Sequence, residues 1–307
     1  MNNSEVTEYL RKIADECVRE KRHGDAVLLY RKLIALNPGE ESLRLALAWA
    51  YLDCGMRTEA VECFERLLAI ELERKVFTGF AFDELVRIFK EERQYERLVE
   101  ICERVIAENP DDMGFLGDLG DAYLKAGKAD KAFDVFKKMA KIEPDDSMVF
   151  CSMGNALIAM GDFDGADREY ERAVKIDPLE AGTFYGRQAH VYAEAGCNER
   201  AERALRKCIE YRNDEPSYHC GLGNVLIRQG RLHEAELAYE RAIELNRHDA
   251  GEYYNRFGNA LAKEGHHLKA IDIFKKAISL DPQNPFYYSR LAESSAAAGL
   301  PDVSVKS

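Results

Sequence analysis

The sequence predicts an all-α fold, a solenoid of about eight helix pairs plus a C-terminal capping helix. Two observations carry that expectation. Pro110, Pro144 and Pro178 stand thirty-four residues apart, closing the similar segments Ile-Ala-Glu-Asn-Pro, Lys-Ile-Glu-Pro and Lys-Ile-Asp-Pro. That period is the length of a helix-turn-helix unit, which cannot bury its apolar face alone and must stack on its neighbours. Within the period, small residues, glycines and rings also recur at fixed offsets.

Aligned on the prolines, units begin near Thr7, Glu41, Gly79, Met113, Ser147, Gly182, Pro216 and Gly251, with a half unit from Pro285. The eighth position is small in most of them (Ala14, Ala48, Gly120, Gly154, Ala189, Gly223, Gly258), and the twentieth is alanine in nearly all (Ala26, Ala60, Ala132, Ala166, Ala201, Ala235, Ala270). Small residues there let two helices approach closely. A glycine at the fifteenth position, as at Gly55, Gly127 and Gly161, supplies the left-handed conformation that ends the first helix. A large ring at the twenty-fourth (Tyr30, Phe64, Phe136, Tyr170, Tyr239, Phe274) fills the space between helices. Proline near the thirty-second disfavours helical geometry in the residue before it and stops the second helix. Asp111-Asp112 and Asp145-Asp146 follow two of these prolines and read as caps for the next helix.

The array divides into residues 1–78 (two units ending in an inserted turn, 75–78), 79–112 (a divergent third unit), 113–284 (regular units four to eight), 285–299 (the capping helix) and a tail, 300–307. The third unit lacks the usual glycine and alanine and carries Arg93 and Leu98 instead. Phe77, Phe80 and Phe82 gather at the insertion, and Trp49, the only tryptophan, stands at a ninth position between Leu45 and Leu52. These residues form either an apolar patch for a partner helix or, as the favoured reading, the packing of a junction with altered geometry. Ser294 and Ser295 replace the tyrosine or leucine that earlier units bury, which suits a solubilising terminal helix; the short tail is expected to fray.

Units such as Phe150 to Pro178 and Tyr254 to Pro282 closely resemble the tetratricopeptide repeat family, and the resemblance runs from about Thr7 to Gly299. It implies a right-handed superhelix whose concave face is lined by the first helix of each pair. It implies no single function.

Other classes are disfavoured by composition and motif. Hydrophobic content of 46% with 32% charged residues suits amphipathic helices, and the net charge of -12 argues against nucleic acid as the partner and for a neutral or basic protein. The start lacks a basic-then-apolar leader and no apolar run reaches membrane length, so the expected location is cytoplasmic. Eight cysteines scattered without a Cys-x-x-Cys pair read as reduced, mostly packed thiols, with Cys54 and Cys197 as exposed exceptions. His233-Glu234 lacks the histidine at position 237 that a zinc-protease helix needs, His266-His267 sits in a turn, and Gly221-Leu222-Gly223 lacks a third glycine and a preceding strand. No catalytic residue, cofactor or metal is expected, and the chain is read as a non-enzymatic scaffold.

Helical geometry puts the second, fifth, ninth, twelfth and thirteenth positions of each first helix on one side. The ninth position becomes a polar column from the fourth unit onward: Asp121, Asn155, His190, Asn224 and Asn259. Beside it the fifth position is small: Gly117, Cys151, Gly186 and Cys220. A narrow side chain next to an amide leaves room for an extended peptide, whose backbone amide and carbonyl the asparagine can bond together. Asn155, Asn224 and Asn259 also resemble the asparagine ladder of O-linked N-acetylglucosamine transferases, which hold protein substrates by backbone contacts; Asp121 and His190 interrupt it. The lysine that co-chaperone repeats set at the fifth position against acidic tails is missing, Arg11 being the one basic residue there. The function expected is a scaffold binding a protein or peptide in a concave groove. A self-assembling homo-oligomer and a regulatory subunit of a separate enzyme, such as a glycosyltransferase, stay open beside it.

Overall fold

The computed structural model describes residues 3–300, and the part of the tail at 301–307 lies outside them. Every regular element among the described residues is helical. The chain forms two compact units, and the division falls inside one helix. The first, Met1–Val135, contains α1 (Asn3–Arg19) and α2 (His23–Leu36), α3 (Glu41–Asp53) and α4 (Arg57–Arg74), α5 (Phe80–Glu91) and α6 (Tyr95–Glu108), then α7 (Met113–Lys125) and the start of α8 (Ala129–Ile142). The second, Phe136–Ser307, contains α9 (Ser147–Met160) and α10 (Phe163–Ile176), α11 (Ala181–Glu194) and α12 (Asn198–Tyr211), α13 (Pro216–Arg228) and α14 (Leu232–Leu245), α15 (Ala250–Lys263) and α16 (His267–Leu280), and α17 (Pro285–Ala297). Within each unit a helix packs mainly on those before and after it in sequence, as in a solenoid. No helix among the described residues is long and apolar enough to cross a membrane.

The turn inside each pair is set by a left-handed residue at the fifteenth position. Seven repeats place glycine there, from Gly55 (φ 74°) to Gly299 (φ 70°). The next residue then donates its N–H back across the helix end, as Met56 does to the Tyr51 carbonyl and Asp162 to the Leu157 carbonyl, both at 2.9 Å. This closes carbonyls the helix would leave bare. The first and third repeats make the same turn without glycine: Lys21 (φ 60°) and Arg93 (φ 56°) take the left-handed conformation, and Arg22 and Gln94 bond to Cys17 and Phe89 at 2.8 and 2.9 Å. The absent glycine of the third repeat therefore marks backbone strain, not a different connection.

Between repeats, acidic caps behave as their position requires. Asp112 accepts from the Phe115 N–H at 3.0 Å and Asp146 from the Met148 N–H at 2.9 Å. The one extra residue between α10 and α11, and again between α14 and α15, is taken up in short 3-10 turns, Pro178–Glu180 and Arg247–Asp249. At the insertion α4 runs longer than its counterparts, 18 residues, and ends on left-handed Lys75 (φ 56°), while the Thr78 hydroxyl donates back to the buried Glu71 carboxylate.

The capping helix departs from expectation at its serines. Ser294 and Ser295 are buried, at 3% and 1% exposure. The Ser295 hydroxyl is satisfied by the Leu291 carbonyl one turn earlier at 2.8 Å, so its burial leaves no unmet donor. The exposed apolar side chain of this helix is Phe286 at its start.

Candidate interaction surface

The polar column is built by the first helices of the pairs. In the second unit Asn155 lies on α9, His190 on α11, Asn224 on α13 and Asn259 on α15; His190 and Asn224 are exposed, and the other two half-buried. In the first unit Asp121 is exposed on α7 with half-buried Gly117 one turn before it, and Trp49 is exposed on α3.

Three ninth-position residues, two in the column and Asp15 in the first repeat, serve their own repeat. The Tyr30 hydroxyl donates to Asp15 Oδ1 at 2.9 Å, Tyr239 to Asn224 Oδ1 at 2.5 Å, and Tyr170 to Asn155 Oδ1. A buried phenol needs an acceptor, and burial raises all three phenols above their ordinary range, so they remain protonated donors. Asn259 has Phe274 in place of tyrosine, and its amide turns to Asn255 Oδ1 at 3.4 Å. The sequence alone did not reveal this, because Phe136 and Phe274 at the same position also have Asp or Asn at the ninth. The consequence is chemical. With the carbonyl oxygen engaged below, what Asn155 and Asn224 present outward is mainly the Nδ2 donor pair, narrower than the two-sided backbone contact that the sequence suggested.

Two cavities meet at Asn224. One, about 490 Å³, lies between α11 and α13 and is lined by Gly186, Ala189, His190, Tyr218 and Val225 among others. The second, about 400 Å³, lies between α13 and α15 and is lined by Cys220, Asn259, Arg256, Lys263 and Glu264 among others. Ser217, Gly221, Asn224 and Arg228 belong to both. Arg228 is partly committed, donating to the Ala193 carbonyl at 2.8 Å and lying 3.8 Å from Glu264; Arg256 and Lys263 have no carboxylate partner among the described residues. Opposite charge is sparse here, so the wall is locally basic in an acidic chain.

The small fifth positions divide. Gly186 and Cys220 line the cavities, yet a β-carbon at Gly186 would stand 3.1 Å from the Tyr218 ring, so that glycine also admits a neighbour's side chain. Cys151 is fully buried and offers a ligand no surface. Burial pushes its thiol up to about 12, as it does for Cys102 and Cys208. Cys54, Cys63 and Cys197 are the partly accessible cysteines.

At the insertion, Phe77, Phe82 and Phe115 form a mutual ring cluster with centroids 5.2 to 6.1 Å apart, which is the junction packing. Phe80 and Trp49 stay out of it, 55% and 43% exposed. Among the described residues no group of three His, Cys, Asp or Glu is placed to hold a metal ion.

Helix pairs of this pattern, with their first helices presenting a polar column beside open cavities, define a helical-repeat interaction scaffold. The tetratricopeptide repeat description matches residues 18–75, 90–150, 149–178, 187–250 and 220–285. The chain belongs to the tetratricopeptide repeat family. No curated protein matches it. Among solved structures it is similar to MamA from residue 41 onward of Desulfovibrio magneticus RS-1 (19% identity, 56% of this chain and 96% of that one, TM-score 0.39). It is also similar to YrrB, described as a repeat protein with an unusual peptide-binding site (17%, 62% and 97%, TM-score 0.37). A tetratricopeptide repeat protein from Parabacteroides merdae is similar over 94% of this chain and 99% of its own, at 13% identity and TM-score 0.43.

Proposed function

We propose that the second unit binds an extended protein segment along the column from His190 through Asn224 to Asn259, and that the segment carries carboxylates. The observation that supports this most is the pair of cavities joined at Asn224, whose amide is held by Tyr239 so that its donors face outward. Backbone carbonyls suit those donors, and acidic side chains suit Arg256 and Lys263. The net charge of -12 favours a neutral or basic partner at long range, but fields from distant charges are screened beyond about 8–10 Å in physiological salt. A segment seated in the cavities meets Arg228, Arg256 and Lys263 directly, and contact outweighs the distant field.

The test is fluorescence anisotropy against three labelled ten-residue peptides of equal length, one glutamate-rich, one alanine-rich and one lysine-rich. The glutamate-rich peptide is expected to bind best, with Asn224→Ala plus Asn259→Ala weakening it roughly tenfold or more, since each bond is worth on the order of 1 kcal/mol. Arg256→Ala should remove the preference among peptides. Equal binding of all three, or binding indifferent to these changes, would overturn the reading.

A further inference from the structure

One repeat junction gathers three arginines, where several others pair their cations with an acid or a ring. The twenty-sixth position is basic in all eight repeats: Lys32, Arg66, Arg104, Lys138, Arg172, Lys207, Arg241 and Lys276. In three of the four repeats of the second unit this cation lies over the ring at the fourth position of its own repeat. Arg172 sits 4.0 Å from the Phe150 centroid, Lys207 4.7 Å from Tyr185 and Lys276 5.6 Å from Tyr254. The two lysines also find a carboxylate on the preceding repeat, Lys207 with Glu171 at 3.6 Å and Lys276 with Glu236 at 3.4 Å. A cation, a ring and an acid satisfy one another there.

Between the first and second repeats the ring and the acid are both replaced. Arg44 occupies the fourth position, where the other repeats have an aliphatic residue, a ring or histidine, and Arg31 stands where Glu171 stands in the equivalent place. Together with Arg66 they line a pocket of about 370 Å³ enclosed by α2, α3 and α4, with Ile34, Leu47 and Cys63 as its less polar wall and Glu62 its one acid. All three guanidinium groups act on the Cys63 thiol, against the dominant effect of burial. Arg44 gives one N–H to the Pro38 carbonyl at 2.6 Å, and Arg31 lies 5.7 Å from the Tyr51 centroid. Among the described residues none of the three has a carboxylate partner. Like charges repel, so gathering three arginines here works against stability unless an anion joins them.

We propose that this pocket is a binding site for a phosphate monoester. Three positive charges against Glu62 leave a surplus matching a phosphoryl group, which carries about -1.5 to -2 charge and three acceptor oxygens. Planar guanidinium forks fit those oxygens two at a time, better than lysines would. Ile34 and Leu47 supply an apolar wall for the organic part of the ester. The site lies in the first unit and is independent of the column in the second.

Thermal-shift and calorimetric titrations of the whole chain test this, with four probes: inorganic phosphate, adenosine monophosphate, a phosphoserine peptide and its unphosphorylated counterpart. A ligand that binds only the folded state raises Tm with its concentration. Saturable binding of a phosphorylated probe is expected, the stronger of the nucleotide and the peptide identifying the source, with no response to the unphosphorylated peptide. Arg66→Gln should weaken binding roughly tenfold or more. Arg31→Glu restores the acid found at the equivalent junction, so it should abolish binding while Tm without ligand holds or rises. Lys207→Gln, at the equivalent place in the second unit, should leave binding unchanged. No saturable binding of any phosphorylated probe, or binding that survives both Arg31→Glu and Arg66→Gln, would overturn the proposal.

Discussion

The third repeat and the fifth, seventh and eighth fill the same space in opposite ways. In the latter three a glycine on the first helix meets a ring on the second. A β-carbon at Gly154, Gly223 or Gly258 would stand 2.7, 2.6 or 2.5 Å from the ring of Tyr170, Tyr239 or Phe274. The third repeat has Val86 and Leu98 at the two positions elsewhere held by small residues, and Cys102 where the ring belongs, all three buried. Volume has moved from the twenty-fourth position to the eighth and twentieth. The helices respond: α5 and α6 approach less closely than α9 and α10 or α15 and α16. The crossing is filled either way, and the pair stands closest where a glycine lets a single ring do the filling.

That comparison can be broken most forcefully at Cys102. Cys102→Phe in the intact third repeat overfills a fully buried position and should cost about 3 kcal/mol, the upper part of the overpacking range, read from urea midpoints. Adding Val86→Gly and Leu98→Ala should recover most of that loss, a coupling that independent sites would not show. Next in size, Gly258→Ala should cost about 2 kcal/mol in spite of the better helix propensity of alanine, because the Phe274 ring must move. If that variant is as stable as the parent, close approach is not what the glycine serves. Tyr239→Phe should cost about 1 kcal/mol through the lost bond to Asn224, whereas Phe274→Tyr should gain less than that, its partner Asn259 being already turned to Asn255. The smallest effect has the opposite sign. Arg93→Gly and Lys21→Gly relieve left-handed strain at the cost of a more flexible unfolded chain, and each should gain about 0.5 kcal/mol.

Local rules made much of this legible. The thirty-four-residue beat, the glycine turns and the acidic caps are interactions within a few residues of chain, so sequence offsets translate directly into contacts. The third repeat was recognisable as divergent from Arg93 and Leu98, but its volume exchange required reading Cys102 together with them. Ser294 and Ser295 misled because hydroxyls suggest solvent, while a serine within a helix can be buried by donating to the carbonyl four residues back, as Ser295 does to Leu291. Of the proposed column, the positions were visible in the register, but the role of Tyr170 and Tyr239 in holding Asn155 and Asn224 was not. A ring that fills a gap and a ring that orients an amide have the same periodicity.

The sequence by itself determined the class of fold, the repeat register and the order of the helices, because each follows from dihedral preference and from apolar spacing along a single helix pair. Only the tertiary structure decided which chemistry faces outward: donors in place of whole amides at the asparagines, a basic wall in a chain of net charge -12, and three arginines around one pocket. These depend on side chains fifteen to forty residues apart, brought together by helix packing, and neither their directions nor their local charge can be summed from composition.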